Sequence, residues 1–418
     1  MTARAGRQEI EVHLDASELC EPRQIGVLHR PLARTDLPAS FEYDSDWLNA
    51  RDAFTLDPRL QSWPGEQHPP GGEKTFGIFL DSAPDRWGRV LMERREAASA
   101  IREARAARTL QELDFLLGVQ DVTRAGALRF RFAGTDTFLD DKDQPVPPVA
   151  SLRELAAISA KLEEPGVEKL PEYERWLAML IAPGTSLGGA RPKANFTDGG
   201  RLWIAKFPAR DDRYDAGAWE YLVHRLAHDA KIVVPEARLE SLTPRHRTFC
   251  SNRFDRLKGS RRMFASAMTL LDRRDGEDGG SYLDLAEFIT GNGAESHVAE
   301  DLEQLFRRAV FNVLVGNRDD HLRNHGFIRE PTGWRLSPAY DMNPNPFKAE
   351  HTLTLDGKSA APDVATILKT SELYRLDRPK AEKIIDKLKA VTAKWRPLAK
   401  QLDCPREEVV RMQSVFRA

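Results

Sequence analysis

The stretch GNRDDHLRNHGF, residues 316 to 327, sets Asn317, Asp319, Asp320, His321, Asn324 and His325 directly behind an apolar run. These side chains accept protons or hold cations. Residue type alone allows three readings: a metal-hydrolase centre, a phosphotransfer loop, or a polar turn without chemistry. A zinc hydrolase needs a fuller ligand set. His321 and His325 stand at i and i+4, but the segment contains Gly326 and no HExxH. The Asp and Asn oxygens are hard ligands, which suit Mg2+ better than Zn2+.

Asp319 and Asn324 are five apart, the interval between base and metal-binding amide in kinase catalytic loops, although the HRD triplet is absent. Asp341 follows in LSPAYDMNPNP, after an apolar-leaning strand, GWRLSPAYD, where a kinase has a Mg2+-binding aspartate in a DFG motif. Upstream lies GTSLGGARPKANF (184 to 196). Gly184 and Gly189 have the G-x4-G spacing of a Walker loop, but Ala190 and Arg191 stand where Lys and Ser/Thr are required. What remains is a Gly-rich turn able to aim backbone N–H groups at an anion, with Lys193 just beyond it. Lys206 continues the inward-looking series Leu202, Ile204 on one strand face. A lysine there is ordinarily an edge residue reaching solvent. It also stands where a lysine would meet phosphate oxygens, with Glu220 on the next helix as candidate partner. Phosphotransfer uses Lys206, Asp319, Asn324 and Asp341 in chain order, whereas a hydrolase uses only the last part. Phosphotransfer is the preferred reading. DRRDGEDGGSYLD (272 to 284) looks calcium-like, but its acids miss the EF-hand positions, and it reads as a solvated loop.

The elements that position these groups are partly legible. Residues 302 to 315 place Leu302, Leu305, Phe306, Ala309, Val310, Val313 and Leu314 at helical spacing, which predicts a buried helix ending at Gly316. KANFTDGGRLWIAKF predicts a hairpin around Asp198-Gly199-Gly200, followed by a helix with Leu222, Val223, Leu226 and Ala227 on one stripe. IGVLHR (25 to 30), GALRFRF (126 to 132), EARLESL and TFCSNRFDR predict strands, with Arg129 and Arg131 outward and Leu128 and Phe130 inward. Residues 90 to 108 read as a solvated helix, 141 to 151 as a Pro-rich boundary, and the chain beyond 281 as mostly helical.

Composition sets the class. The 418 residues allow two or three domains. With 62 basic and 64 acidic side chains the formal charge is -2, so nothing drives the whole molecule towards nucleic acid or an anionic membrane. Cys20, Cys250 and Cys404 are far apart and form no CxxC pair, which fits a reducing compartment. A signal-type apolar region and a membrane-length apolar run are both lacking, so a soluble, cytoplasmic protein without membrane contact is expected.

Taken in order, SLGGARPK, WIAKFP, NRFDR, NRDDHLRNHGF and PAYDMNP resemble the signature series of HipA-type serine/threonine kinases, the toxin halves of bacterial toxin–antitoxin modules. FLDSAPDRWGR (79 to 89) and GALRF (126 to 130) resemble that family's N-terminal subdomain, and the resemblance spans about residues 20 to 400. It implies an α+β, two-lobed protein-kinase-like fold, with a strand-containing N-terminal subdomain and a mostly helical C-terminal lobe. The implied division is 1–150, N-terminal subdomain; 151–258, nucleotide-binding part of the core; 259–418, helical catalytic lobe.

The same resemblance implies ATP and Mg2+ as cofactors. Asp319 would be the catalytic base, with Asn324 and Asp341 holding Mg2+ and Lys206 meeting the α- and β-phosphates. The phosphate loop would comprise Ser186, Leu187, Gly188, Gly189, Ala190, Arg191 and Lys193, with Ser186 as a site of autophosphorylation and Thr185 as its neighbouring competitor. Asn252, Arg253 and Phe254 would line the adenine, and Tyr340 would join Asp341 in the nucleotide site. His321 would brace the catalytic loop or touch phosphate. Asn252 departs from the family at a hinge position where an acidic residue is common, a change that a backbone contact tolerates. The implied partners are a small helix-turn-helix antitoxin (HipB-like), DNA mainly through that antitoxin, and a protein substrate in translation such as an aminoacyl-tRNA synthetase, whose phosphorylation would arrest growth. A small-molecule phosphotransferase of the same fold and a corepressor subunit are the alternatives.

Overall fold

A computed structural model describes residues 6–32, 37–139, 146–181, 189, 191–274, 276–277 and 279–417. The chain forms two compact units, residues 1–210 with 255–265 and residues 211–254 with 266–418. Among the described residues no helix is long and apolar enough to cross a membrane.

In the first unit, β1 (Arg7–Leu14), β2 (Arg23–Pro31), β3 (Ser40–Tyr43), β4 (Glu66–Gln67) and β5 (Leu128–Phe132) form an antiparallel sheet in the order β4-β3-β2-β1-β5. The two strands read from IGVLHR and GALRFRF are β2 and β5. Along β5, Leu128 and Phe130 are buried, while Arg131 donates to Glu11 at 2.5 Å from the position opposite on β1. Opposite charges facing across a ladder stabilise the register. Helix α1 (Arg86–Arg102) starts earlier than the solvated helix expected at 90–108 and ends sooner. Asp85 supplies the N-cap by accepting from the Gly88 N–H at 2.8 Å, and Trp87, Leu91 and Met92 are buried rather than solvated.

The unit continues into the hairpin of β6 (Lys193–Asp198) and β7 (Arg201–Lys206). Gly199 and Gly200 both have positive φ, 55° and 71°, as a two-residue turn matched to strand twist requires. The face expected to look inward is the shallower one. Trp203, Ala205 and Phe207 are at most 1% exposed, whereas Ile204 and Lys206 are half-buried, because the two large aromatic rings take the core side.

The second unit carries helix α2 (Ala216–Asp229), the pair β8 (Ala237–Glu240) and β9 (Thr248–Asn252), and then mostly helix. The expected stripe Leu222, Val223, Leu226 and Ala227 is buried. Helix α3 (Tyr282–Asn292) and helix α4 (Val298–Val315) pack together, with α5 (Arg378–Thr392) against α4. Leu302, Leu305, Phe306, Ala309 and Val310 are completely buried, so α4 is the rigid base from which the polar stretch departs. The helix stops at Gly316, φ 65°, as expected. A Cβ there would also sit 2.1 Å from Val415 Cγ1 and 2.9 Å from the Val415 carbonyl oxygen, so glycine is required twice over.

Candidate active site

Beyond Gly316 the chain buries Asn317, Arg318 and Asp320 but leaves the Asp319 side chain 56% exposed. The cause is a buried polar network. Three donors converge on Oδ2 of Asp320: the Tyr282 hydroxyl at 2.5 Å, His325 Nε2 at 2.8 Å and Asn312 Nδ2 at 3.0 Å. Asn312 Oδ1 in turn accepts from Asn317 Nδ2 at 3.2 Å. Burial would raise the Asp320 carboxyl, but His325 and the Tyr282 hydroxyl hold it below its ordinary value. Burial and the adjacent Asp320 charge push the Tyr282 phenol well up. A buried carboxylate with three donors is strongly held, and it fixes the backbone on which its neighbour Asp319 stands.

The segment carrying Asp341 docks onto this loop. The strand expected in GWRLSPAYD is β11 (Gly333–Leu336), which pairs with β10 (Gly326–Glu330). Past it, the Tyr340 hydroxyl donates to the Arg323 carbonyl at 2.7 Å, Asn343 N–H to Asn317 Oδ1 at 3.4 Å, and Asn345 N–H to the Gly316 carbonyl at 2.9 Å. Asp341 has φ 57°, a left-handed conformation that aspartate tolerates better than most residues, and its Oδ1 accepts from Asn343 Nδ2 at 3.2 Å. Asn324, a buried residue in a short 3-10 turn (Leu322–Asn324), donates weakly to the Asp319 carbonyl at 3.4 Å. The second unit therefore brings the loops of Asp319, Asn324 and Asp341 together. Phe254 stacks on Tyr340 with ring centres 5.4 Å apart, which adds part of the expected base-binding set; Arg253 is buried and Asn252 half-buried. His321 is half-buried, and its Nδ1 is buried without a hydrogen-bond partner among the described residues.

The remaining described site residues, Gly189, Arg191, Lys193 and Lys206, lie in the first unit. Lys193 and Lys206 are register partners across the hairpin and so project on one face. Two ammonium groups so placed repel, and a carboxylate relieves it. Lys193 Nζ donates to Asp85 Oδ2 at 2.7 Å and to the Gly189 carbonyl at 2.8 Å, with both charged side chains almost completely buried. Burial pushes the Asp85 carboxyl up, against the pull of the Lys193 ammonium and the Gly88 and Trp87 N–H groups. Arg191 reaches the Phe207 carbonyl at 3.5 Å. Ser186, Leu187, Gly188 and Ala190 lie outside the described residues, as does Thr185. Lys206 belongs to the first unit and Glu220 to the second.

A profile of the HipA-like C-terminal domain matches residues 185–395. The chain belongs to the HipA-like family. A Haemophilus influenzae protein described as a "Putative kinase" is 34% identical over 137 residues, covering 29% of this chain and 39% of that protein. The chain thus matches about two fifths of the length of this curated relative. Among solved structures, the Shewanella oneidensis MR-1 complex of HipA, HipB and operator DNA contains a chain with a TM-score of 0.60 at 17% identity, covering 97% of this chain and 94% of that one. This likeness shows the fold, an α+β architecture like that of the Shewanella chain, in agreement with the sequence. A Helicobacter pylori proinflammatory kinase, CtkA, gives a TM-score of 0.36, too low to bear on the argument.

The HipA-like span contains every expected site residue from Ser186 to Asp341. It does not contain Asp85, which holds Lys193, and it does contain a set that residue-type reasoning left without roles: Tyr282, Asn312, Asn317, Asp320 and His325. Asp85 caps α1 through the Gly88 N–H. Its second bond is to a lysine far along the chain, which no local pattern reveals. A metal site of the many-ligand kind is not on offer: among the described residues no three His, Cys, Asp or Glu side chains stand together for an ion. Asn324 and Asp341 each carry a hard side-chain oxygen of the kind that could serve Mg2+, an ion that takes one or two protein ligands and completes its shell with water and substrate phosphates.

Proposed function

We propose that the protein is an ATP- and Mg2+-dependent serine/threonine protein kinase, the toxin of a toxin–antitoxin pair, that phosphorylates a translation-related protein such as an aminoacyl-tRNA synthetase and arrests growth. The observation that carries this reading is the placement of Asp319: exposed itself, between residues that are buried and bonded, on a loop tied to the segment of Asp341. In this reading Asp319 takes the proton of the substrate hydroxyl, and His321 braces its loop. Asn324 and Asp341 hold Mg2+, and Lys206 and the turn from Ser186 to Lys193 hold the phosphates. Asn252, Arg253, Phe254 and Tyr340 line the base. The bound magnesium nucleotide supplies the phosphoryl group and the charge that neutralises it. Functionally, residues 1–150 serve as the N-terminal subdomain, 151–258 as the nucleotide-binding part and 259–418 as the catalytic lobe. Ser186 is proposed as an autophosphorylation site, because a phosphate there would compete for the anion-binding turn.

The Shewanella complex contains HipB and operator DNA, which supports a HipB-like antitoxin as partner and DNA contact through it. Labelling a bacterial extract with γ-labelled Mg-ATP tests the reading: one or a few protein bands are expected, and label confined to small molecules would favour a phosphotransferase instead. Calorimetric titration of Asp341→Ala with ATP should lose the Mg2+-dependent part of the affinity, and an affinity equal to wild type removes Asp341 from the metal site.

A further inference from the structure

The proposed chemistry leaves one charged group at its centre without a role. Lys348 Nζ pairs with Oδ1 of Asp319 and also donates to Thr352 Oγ1 at 3.3 Å. Asn345 Oδ1 accepts from the Phe347 and Lys348 N–H groups at 2.9 and 3.3 Å, a local turn that presents the lysine. The strap is also latched to the residue before Asp319. The Arg318 guanidinium donates to the Lys348 carbonyl, while Thr352 N–H and Oγ1 donate to the Arg318 carbonyl at 3.2 and 3.1 Å. Residues 345 to 352 therefore hold the backbone at 318 and the side chain at 319 together.

We propose that Lys348 is a positioning residue for the base, clamping Oδ1 of Asp319 so that Oδ2 faces the substrate hydroxyl. The inference rests on the reading of Asp319 given above. A carboxylate turns about a broad, roughly two-fold torsion, so an exposed aspartate presents either oxygen in many orientations. A cation fixed beside one oxygen selects among them. Ordinary surface pairs do this poorly because both side chains must be immobilised for the purpose. Here the backbone on both sides is already held, so the ordering is largely in place before substrate arrives. The proton passes from the hydroxyl to Oδ2 as the oxygen attacks phosphorus and the bond to the departing ADP breaks. Lys348 holds the acceptor throughout and exchanges nothing.

Two measurements on the full-length protein test this. The first needs no catalysis: the rate at which acetic anhydride acetylates Lys348, read by mass spectrometry, should rise about two- to fivefold in Asp319→Asn, the range an exposed pair supports. The second is transfer from γ-labelled Mg-ATP to protein in a bacterial extract. Lys348→Met should lower the maximal rate on the order of tenfold, as loss of orientation does. The KM for ATP should stay within about twofold, and Lys348→Arg should recover most of the rate. A Lys348→Met protein as fast as wild type or faster, or one that loses ATP affinity rather than rate, overturns the role of Lys348 alone. A wild-type protein that transfers no phosphoryl group, while the acetylation difference holds, overturns the kinase reading and this role with it.

Discussion

Lys193–Asp85 and Lys348–Asp319 are lysine–aspartate pairs that look alike on paper and differ in burial. In the first unit, Lys193 and Asp85 meet with side chains 1% and 3% exposed; in the second, Lys348 and Asp319 meet at 45% and 56%. Both ions of the first pair are out of water, so neither tolerates the loss of the other. The second pair is wet, contributes little to folding, and is free to be broken and remade as a substrate comes and goes. Burial, rather than pairing, separates a strut from a working group. The adjacent residues Asp319 and Asp320 repeat the contrast within one loop.

The buried pair should be the more sensitive of the two to mutation. Lys193→Met leaves Asp85 buried and unpaired, and should cost about 3–5 kcal/mol in denaturant unfolding. Adding Asp85→Asn, which keeps an N-cap side chain, should restore more than half of that loss. A single variant within about 1 kcal/mol of wild type would show that the pair is not the strut described.

Next comes a buried histidine of the second unit. His351 is 5% exposed, and burial lowers its pKa from 6.5 to about 4, chiefly by disfavouring the charged ring. The unfolded chain binds the proton first, so stability present above pH 6.5 is lost as pH falls towards 4, by up to roughly 3 kcal/mol. Thermal unfolding of His351→Gln should lack this part of the pH dependence, and parallel curves for the two proteins would refute it.

Smaller still is Tyr282→Phe. It removes one of three donors on Asp320 and should cost about 1.5–3 kcal/mol, the range for bonds to charged groups. The damage should also reach Asp319 through the backbone, lowering transfer with little change in ATP affinity. At the bottom of the scale, Lys348→Met should change stability by about 0–1 kcal/mol. A larger loss would make the exposed pair structural and erase the distinction.

How much of this the sequence shows depends on the range of each interaction. The hairpin at Gly199-Gly200 and the helix ending at Gly316 are local patterns, and both appear where periodicity and turn chemistry place them. The start of α1 is also a local event, yet the Ala/Arg/Glu composition of 90–108 masks the Asp85 cap. The face of β7 is misread because Lys206 continues an apolar series, while the choice of core face falls to the aromatic rings of Trp203 and Phe207. In the candidate site, the interval from Asp319 to Asn324 and the later Asp341 are visible as spacing. What spacing hides is the division of labour inside the loop: Asp319 and Asp320 are identical letters. Tyr282 and Asn312, arriving from two helices, join His325 on Asp320 and mark it as the buried one.

The proposed reaction depends on Asp319 as the base of a phosphoryl transfer. The most direct measurement is the rate of protein labelling from γ-labelled Mg-ATP by wild type and Asp319→Asn, with ATP affinity and thermal unfolding measured on the same samples. The isosteric amide should leave fold and nucleotide binding close to wild type while transfer falls by about 10²–10⁴-fold, the usual contribution of a general base. A variant that binds ATP normally and keeps more than about a tenth of the wild-type rate would contradict it.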